Sequence, residues 1–177
     1  MDKQKLIPDS TFLSLFLKCN KINELEKIID YFDTRICSVV DREISKIFPK
    51  VSNSLKKKMM VVNSKLDYFL LMKPFISKEQ YEKGEFDVII LAQFCEDMKL
   101  KYIVIIDDGP ALKLLKRYFP EIAINHRRTG RFLIECFRNY KILNKSETLD
   151  LIETMDLSDF RIGKEHITSL KKELEDE

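Results

Sequence analysis

Apolar residues along this chain follow two rhythms, and the places where one gives way to the other mark out its elements. Leu6-Ile7 and Tyr102-Ile103-Val104-Ile105-Ile106 are short, uninterrupted apolar runs. They are too short for helices and lack the alternation of a half-buried strand, which fits strands covered on both faces, as in a parallel sheet. Elsewhere apolar side chains recur every three or four positions: Phe12, Leu13, Leu15, Phe16 and Leu17, then Leu25, Ile28, Ile29 and Phe32, then residues 111–119 and 132–140. That spacing predicts amphipathic helices. Residues 35–39 make a third candidate strand with a helix after it through Phe48, and Gly84 stops the chain before an almost wholly apolar helix. Residues 121–125 read as a further short strand. Between 50 and 83 the rhythm is weakest, and residues 60–62 or 67–72 supply an edge strand or a helix. Two helical patterns, 147–155 and 163–174, make up the tail, with a connector between them.

Strand and helix patterns alternating in this way predict an α/β fold with three α/β/α layers, a mostly parallel central sheet of about five strands and a helical C-terminal tail. A chain of 177 residues is long enough for one good core and short for two. It divides into a domain at 1–145 and a helical extension at 146–177 that packs on that domain or dimerises it.

The apolar runs end in acid. Ile106 is followed by Asp107-Asp108-Gly109-Pro110, and Pro8 by Asp9-Ser10-Thr11. An ionised carboxylate buried without a partner is costly, so these side chains belong at the strands' carboxyl ends, where water, a cation or a helix amino terminus can meet them. Each also has a plainer reading as the N-cap of the helix that follows. Glu43 falls one turn into the third helix, and on its own reads as a solvated surface acid. Glu85 and Asp87 fall in the first turn after Gly84, where the helix macrodipole favours negative charge.

In a parallel sheet all the strand carboxyl ends, and the starts of the helices after them, share one edge, and open α/β sheets bind ligands there. Asp9, Glu43, Asp87 and Asp108 then gather at one site, with Asp107, Glu85 and Ser10 beside them. Carboxylates at that density repel, and their pKa values rise unless a cation neutralises them. Hard divalent cations fit such oxygen donors, Mg²⁺ or Mn²⁺ above all where phosphate is the other ligand. Metal-activated water would then cleave phosphodiesters without a histidine or serine nucleophile.

Charge elsewhere refines this picture. Lys and Arg number 31 against 29 Asp and Glu, so bulk charge does not announce nucleic acid or acidic lipid. Locally, His126-Arg127-Arg128-Thr129-Gly130-Arg131 sets three arginines at a strand-to-helix turn. Arg127, Arg128, Thr129 and Arg131 suit contacts to an RNA backbone there, and equally a solvated loop. Lys56-Lys57-Lys58 carries the same two readings. His126 has no second His or Cys at ligand spacing and reads as structural. The four cysteines are scattered singly inside apolar runs, as small core residues of a reducing compartment. The acidic, Pro-broken start resembles neither a signal peptide nor a membrane span, so the expectation is a soluble cytoplasmic protein with no membrane partner.

Taken in order, Asp9-Ser10-Thr11-Phe12-Leu13, Val40-Asp41-Arg42-Glu43-Ile44, Gly84-Glu85-Phe86-Asp87-Val88-Ile89-Ile90-Leu91-Ala92 and Ile106-Asp107-Asp108-Gly109-Pro110-Ala111 resemble the successive acidic motifs of PIN domains. The likeness is to the prokaryotic branch of toxin-type ribonucleases, and Thr129-Gly130 and Phe160-Arg161-Ile162 extend it over nearly the whole chain. The resemblance implies a PIN-like fold and an Mg²⁺- or Mn²⁺-dependent endoribonuclease. Asp9, Glu43, Asp87 and Asp108 match its catalytic quartet; Asp9, Asp87, Asp108 and Asp107 would hold metal, with Glu85 and Ser10 auxiliary. It also implies RNA as substrate, a small antitoxin protein over the acidic cleft, and a homodimer. Gly109-Pro110 stands where that branch commonly has an arginine-alanine pair, and the segment before Gly84 is long and contains Lys and Phe; both departures bear on substrate choice. The rival readings are a non-catalytic PIN-like module that binds RNA or protein, and a phosphoacceptor receiver. A receiver groups an acid pair after its first strand, where this chain has Asp9 alone.

Overall fold

The computed structural model of the chain describes residues 3–49, 55–63, 70, 72–75, 77, 83–157 and 164–175. Five parallel strands make one sheet: β1 (Lys5–Pro8), β2 (Asp33–Cys37), β3 (Met60–Val62), β4 (Tyr102–Ile105) and β5 (His126–Arg127). Among the described residues the helices are α1 (Ser10–Lys18), α2 (Ile22–Tyr31), α3 (Ser38–Ile47), α4 (Gly84–Asp97), α5 (Gly109–Tyr118), α6 (Pro120–Ile124), α7 (Thr129–Arg138), α8 (Lys145–Leu157) and α9 (Lys164–Glu175). The architecture is the expected α/β/α arrangement with a helical tail.

The strands run in the order β3-β2-β1-β4-β5. The chain winds outward from β1 in one direction, then returns to β4 and winds outward in the other. Between β1 and β4 the direction reverses, and open α/β sheets bind ligands beside the carboxyl ends of the strands at such a switch point. Both central strands are buried along their whole length, which explains why they are apolar apart from Lys5, whose ammonium meets Asp33. Phe12 of α1 packs edge-on against Phe16 at 5.1 Å and against Phe132 of α7 at 5.7 Å, coupling the helices that begin beside the switch point. All three rings are wholly buried, each stabilising the fold by about 1.5–3 kcal/mol.

The tail helices pack onto α7, and α8 also reaches α1. Leu151, Ile152, Met155, Ile167, Leu170 and Leu174 are buried with the main core. Gly130 makes room for α9, since a Cβ there would lie 2.5 Å from Leu170 Cδ1. Lys21 and Lys27 form ion pairs with Asp150 and Glu147 along the seam.

Two boundaries differ from the sequence reading. Residues 121–125 are not a strand: Pro120 occupies the first turn of the short helix α6, which buries Ile122 and leaves Ile124 76% exposed. The strand comes two residues later, at His126–Arg127. The second strand starts earlier, at Asp33, and gives way to helix at Ser38, inside the span expected to be extended. Of the two candidates in the irregular segment, residues 60–62 form the edge strand beside β2, while residues 67–69 and 71 lie outside the described residues. Gly163 and Phe160-Arg161-Ile162 also lie outside them. Cys37, Cys95 and Cys136 are buried, Cys19 is half-buried, and all four are free. No helix among the described residues is long and apolar enough to cross a membrane.

Candidate active site: an acidic edge at the switch point

Register places the first acids. Pro8 lies opposite Ile105, so Asp9 comes level with Ile106 and Asp107 follows one residue beyond, both just past the sheet edge. Asp9 caps α1: its Oδ1 accepts from the Phe12 amide at 2.9 Å, and its Oδ2 accepts from the Asp107 amide at 3.4 Å. The capping reading and the clustering reading of Asp9 therefore hold together. Asp108 caps α5 through Oδ1, accepting from the Ala111 amide at 2.8 Å. Asp107 turns toward β5 and α7, where Thr129 donates to it from its amide at 3.1 Å and from its hydroxyl.

Like charges then act on one another. Burial pushes the Asp9 carboxyl up to about 8, and the neighbouring Asp107 and Glu85 carboxylates add to the rise, against the Phe12 and Asp107 amides. Asp107 is raised by burial despite its two bonds from Thr129. Glu85 is raised by burial, then by Asp108 and Glu43. Glu85 is thus the acid through which the strand-end group meets the α3 group.

That second group centres on Glu43. The Gly84 amide donates to Glu43 Oε1 at 3.2 Å, while Oε2 is buried with no hydrogen-bond partner among the described residues. A Cβ at Gly84 would sit 2.7 Å from this Oε2 and 2.9 Å from Val40 Cγ2, so only glycine lets α4 start this close to α3. Asp87 is buried and accepts from the Val39 amide at 3.5 Å, at the start of α3. Burial lifts it to about 6, with the Val39 amide and Arg42 opposing and Glu43 adding repulsion. The structure therefore brings all six predicted acids to one edge, but in two linked groups: Asp9, Asp107 and Asp108 at the strand ends, Glu43 and Asp87 between α3 and α4, with Glu85 between them. Ser10, at the first position of α1, is half-buried beside Asp9. Among the described residues no three His, Cys, Asp or Glu side chains already stand as a coordination cluster.

The arginine turn divides. Arg127 is not a free phosphate ligand: its Nε donates to Glu135 at 2.7 Å and its Nη1 to the Ile124 and His126 carbonyls. Arg131 pairs with Glu173 of α9 at 2.7 Å and approaches Glu135 at 3.6 Å. Thr129 is wholly buried and spends its hydroxyl on Asp107, which removes it from any solvent-borne ligand. Glu135 and Glu173 lie four and forty-two residues beyond Arg131, and their claim on the arginines is a tertiary fact that the local run of cations hides. Arg128, exposed at the start of α7, alone of the three makes no ion pair among the described residues, and its charge acts on Asp107. His126 Nε2 donates to the Ile106 carbonyl at 2.8 Å, a structural role.

Gly84 and Thr129 are the residues whose part at this edge the sequence only half disclosed. Gly84 was visible as a helix stop, and nothing local showed that its missing side chain makes room for Glu43. Family models, curated proteins and solved structures yield no match to this chain.

Proposed function

We propose that the acidic edge is the active site of an Mg²⁺- or Mn²⁺-dependent endoribonuclease of PIN type. The observation that carries this reading is the concentration of buried and half-buried, mutually repelling carboxylates at the switch point, with Asp9 pushed up to about 8. Structural acids are normally balanced by cations or helix termini; these exceed what their caps can balance. The donors suit a hard divalent cation: all are carboxylate oxygens, and Glu43 Oε2 is buried with no partner among the described residues. Asp9, Asp87, Asp107 and Asp108 are the ligand candidates. When bound, the cation would lower the pKa of water and offset charge on a phosphodiester. Asp9 and Asp108, fixed by the caps of α1 and α5, hold their carboxylates on rigid elements. Glu85 and Glu43, at the same edge, would orient water or take its proton. Arg128 supplies the exposed cation for a substrate phosphate.

RNA as substrate, a small antitoxin covering this edge, a homodimer and a cytoplasmic location belong to the same proposal. A second reading, a non-catalytic PIN-like module that binds RNA or protein, is favoured by one observation: both oxygens of Asp9 and both of Asp107 are already engaged by N–H or O–H donors.

Cleavage of a mixed single-stranded RNA pool separates the two, using wild type, Asp9→Asn and Glu85→Gln, each with Mn²⁺ and with EDTA. The nuclease reading expects cutting only by metal-loaded wild type, with each variant slower by about a hundredfold or more. If no protein cuts, yet Mn²⁺ raises the melting temperature of wild type and not of Asp9→Asn, the binding module replaces it.

A further inference from the structure

Phe75 is 41% exposed and Tyr118 42%, and both line a cavity of about 260 Å³ between residues 72–75, α4 and the junction of α5 with α6. Met72 and Ile90, both buried, give it an apolar base. Phe75 packs on Tyr118 with ring centroids 4.9 Å apart, and edge-on against Phe119 at 5.8 Å. A ring held by two others, with part of its surface left open, is a rigid platform for stacking.

Charge supplies a second observation. Arg117 lies over the Tyr118 ring, 5.1 Å from its centroid. Lys113 stands one turn nearer the start of α5 on the same side of the helix, and Lys73 follows Met72 on the other lip of the cavity. Lys73, Lys113, Lys116 and Arg117 are all exposed, and none forms an ion pair among the described residues. Against them the cavity lining carries Glu121, and Gln93, whose amide is committed to Asp97 at 2.7 Å. The start of β1 is different, since Lys5, Arg35 and Lys58 are each held there by an acid. Aromatic faces flanked by unpaired cations match single-stranded nucleic acid, whose bases stack while its phosphates pair. A purely apolar partner would leave those cations unused.

We propose that this aromatic cavity is a base-binding subsite for single-stranded RNA, with one base stacked on Phe75 and Tyr118 and the adjoining phosphates met by Arg117 and Lys73. Lys113 carries the strand on toward the start of α5, where Asp108 stands. With 10 residues α5 is about 15 Å long, a span that a few nucleotides cover. This role rests on the RNA reading of the acidic edge and adds to it a remote contact: the base held here sets which phosphate comes to the carboxylates.

Fluorescence anisotropy on the full chain in EDTA tests it, with a short labelled single-stranded RNA and an abasic ribose-phosphate strand of the same length. Phe75→Leu keeps an apolar side chain and removes the aromatic face; it should weaken RNA binding by about tenfold and leave the abasic strand unaffected. Arg117→Gln should weaken both strands and reduce the log–log salt slope of RNA binding by roughly 0.7, one phosphate contact. Its melting temperature should match that of wild type, so the test stands even if Phe75→Leu is unstable. Mn²⁺-dependent cleavage by the same proteins separates this subsite from the nuclease reading. RNA that binds through Phe75 but is not cut keeps the subsite and removes the nuclease. RNA that is cut, with equal affinity in wild type, Phe75→Leu and Arg117→Gln, overturns the subsite alone. Absence of RNA binding by wild type also overturns it, and a dimer that Phe75→Leu dissociates, seen by light scattering, would make the cavity an interface between two copies of the chain instead.

Discussion

The two ends of β1 resolve the same problem, charged side chains at the margin of a buried sheet, in opposite ways. At its start, Lys5 and Arg35 share Asp33, and although burial works to raise that carboxyl, their hydrogen bonds and charges hold it below its ordinary range. One residue past its end, Asp9 forms no ion pair among the described residues and stands beside Asp107 and Glu85, with burial and repulsion acting in the same direction. A balanced acid of the first kind stabilises the fold at neutral pH; an unbalanced one of the second kind weakens it unless a proton or a cation is bound. The fold thus stores repulsion at the edge where α/β sheets bind ligands and relieves it at the other.

The largest effect expected from this contrast is on stability against pH. Asp9 is raised from 3.8 to about 8 and Asp87 from 3.8 to about 6, so between those values the folded protein holds protons that the unfolded chain has released. Stability is then present at low pH and is lost as pH rises through the folded-state values, by several kcal/mol for a shift of this order. Denaturant unfolding in EDTA should show that loss between about pH 5 and 8; Asp9→Asn should flatten it, because Asn still caps α1 without carrying charge. Adding Mn²⁺ at pH 8 should restore stability to wild type. Asp33 has the opposite sign: its contribution is lost as pH falls, and Asp33→Asn should remove that acid-side loss only. A wild-type profile that is flat from pH 5 to 8 would break the comparison.

An intermediate effect tests whether each edge tolerates added volume. Gly130→Ala puts a methyl 2.5 Å from Leu170 Cδ1, which is itself 3% exposed, so α9 must shift from α7 at a cost of about 1–3 kcal/mol. Gly84→Ala meets the end of the Glu43 side chain at 2.7 Å, which can swing, and Val40 Cγ2 at 2.9 Å, which can give less. Its signature should be weaker Mn²⁺ binding with a smaller loss of stability than Gly130→Ala. Melting temperatures and Mn²⁺ titrations of both variants would show it, and unchanged Mn²⁺ affinity in Gly84→Ala would mean that the position of Glu43 does not bear on the metal.

Why the acids could be anticipated and the arginines could not follows from range. The positions of Asp9, Asp107 and Asp108 depend on a strand of uniform apolar residues ending at a helix start, a local pattern that parallel topology converts into a shared edge. The central strands and most of the helices were legible in the same way, whereas the edge strand at 60–62 was one of two open candidates for a strand or a helix. Residues 121–125 misled because Ile122, Ala123 and Ile124 have the composition of a strand, and only Pro120 and the exposure of Ile124 reveal a turn of helix. Arg127 and Arg131 misled because Glu135 and Glu173, which claim them, arrive from within α7 and from the far end of the tail.

The smallest effect separates the two kinds of arginine. Arg131 shares both its partners, because Arg138 still holds Glu173 at 2.7 Å and Arg127 still holds Glu135 at 2.7 Å. Arg131→Ala should therefore cost less than about 1 kcal/mol and leave RNA cleavage unchanged. Arg128 is exposed and makes no ion pair among the described residues, so Arg128→Ala should leave the melting temperature where it is. Its nearness to Asp107 means that any consequence falls on the acidic edge, as a higher KM for RNA at unchanged kcat if its charge only attracts substrate phosphate. Steady-state cleavage by the two variants at low and high salt decides between them. Equal behaviour of Arg128→Ala and Arg131→Ala would mean that the turn contributes no phosphate contact, and substrate binding would have to be sought elsewhere around the acidic edge.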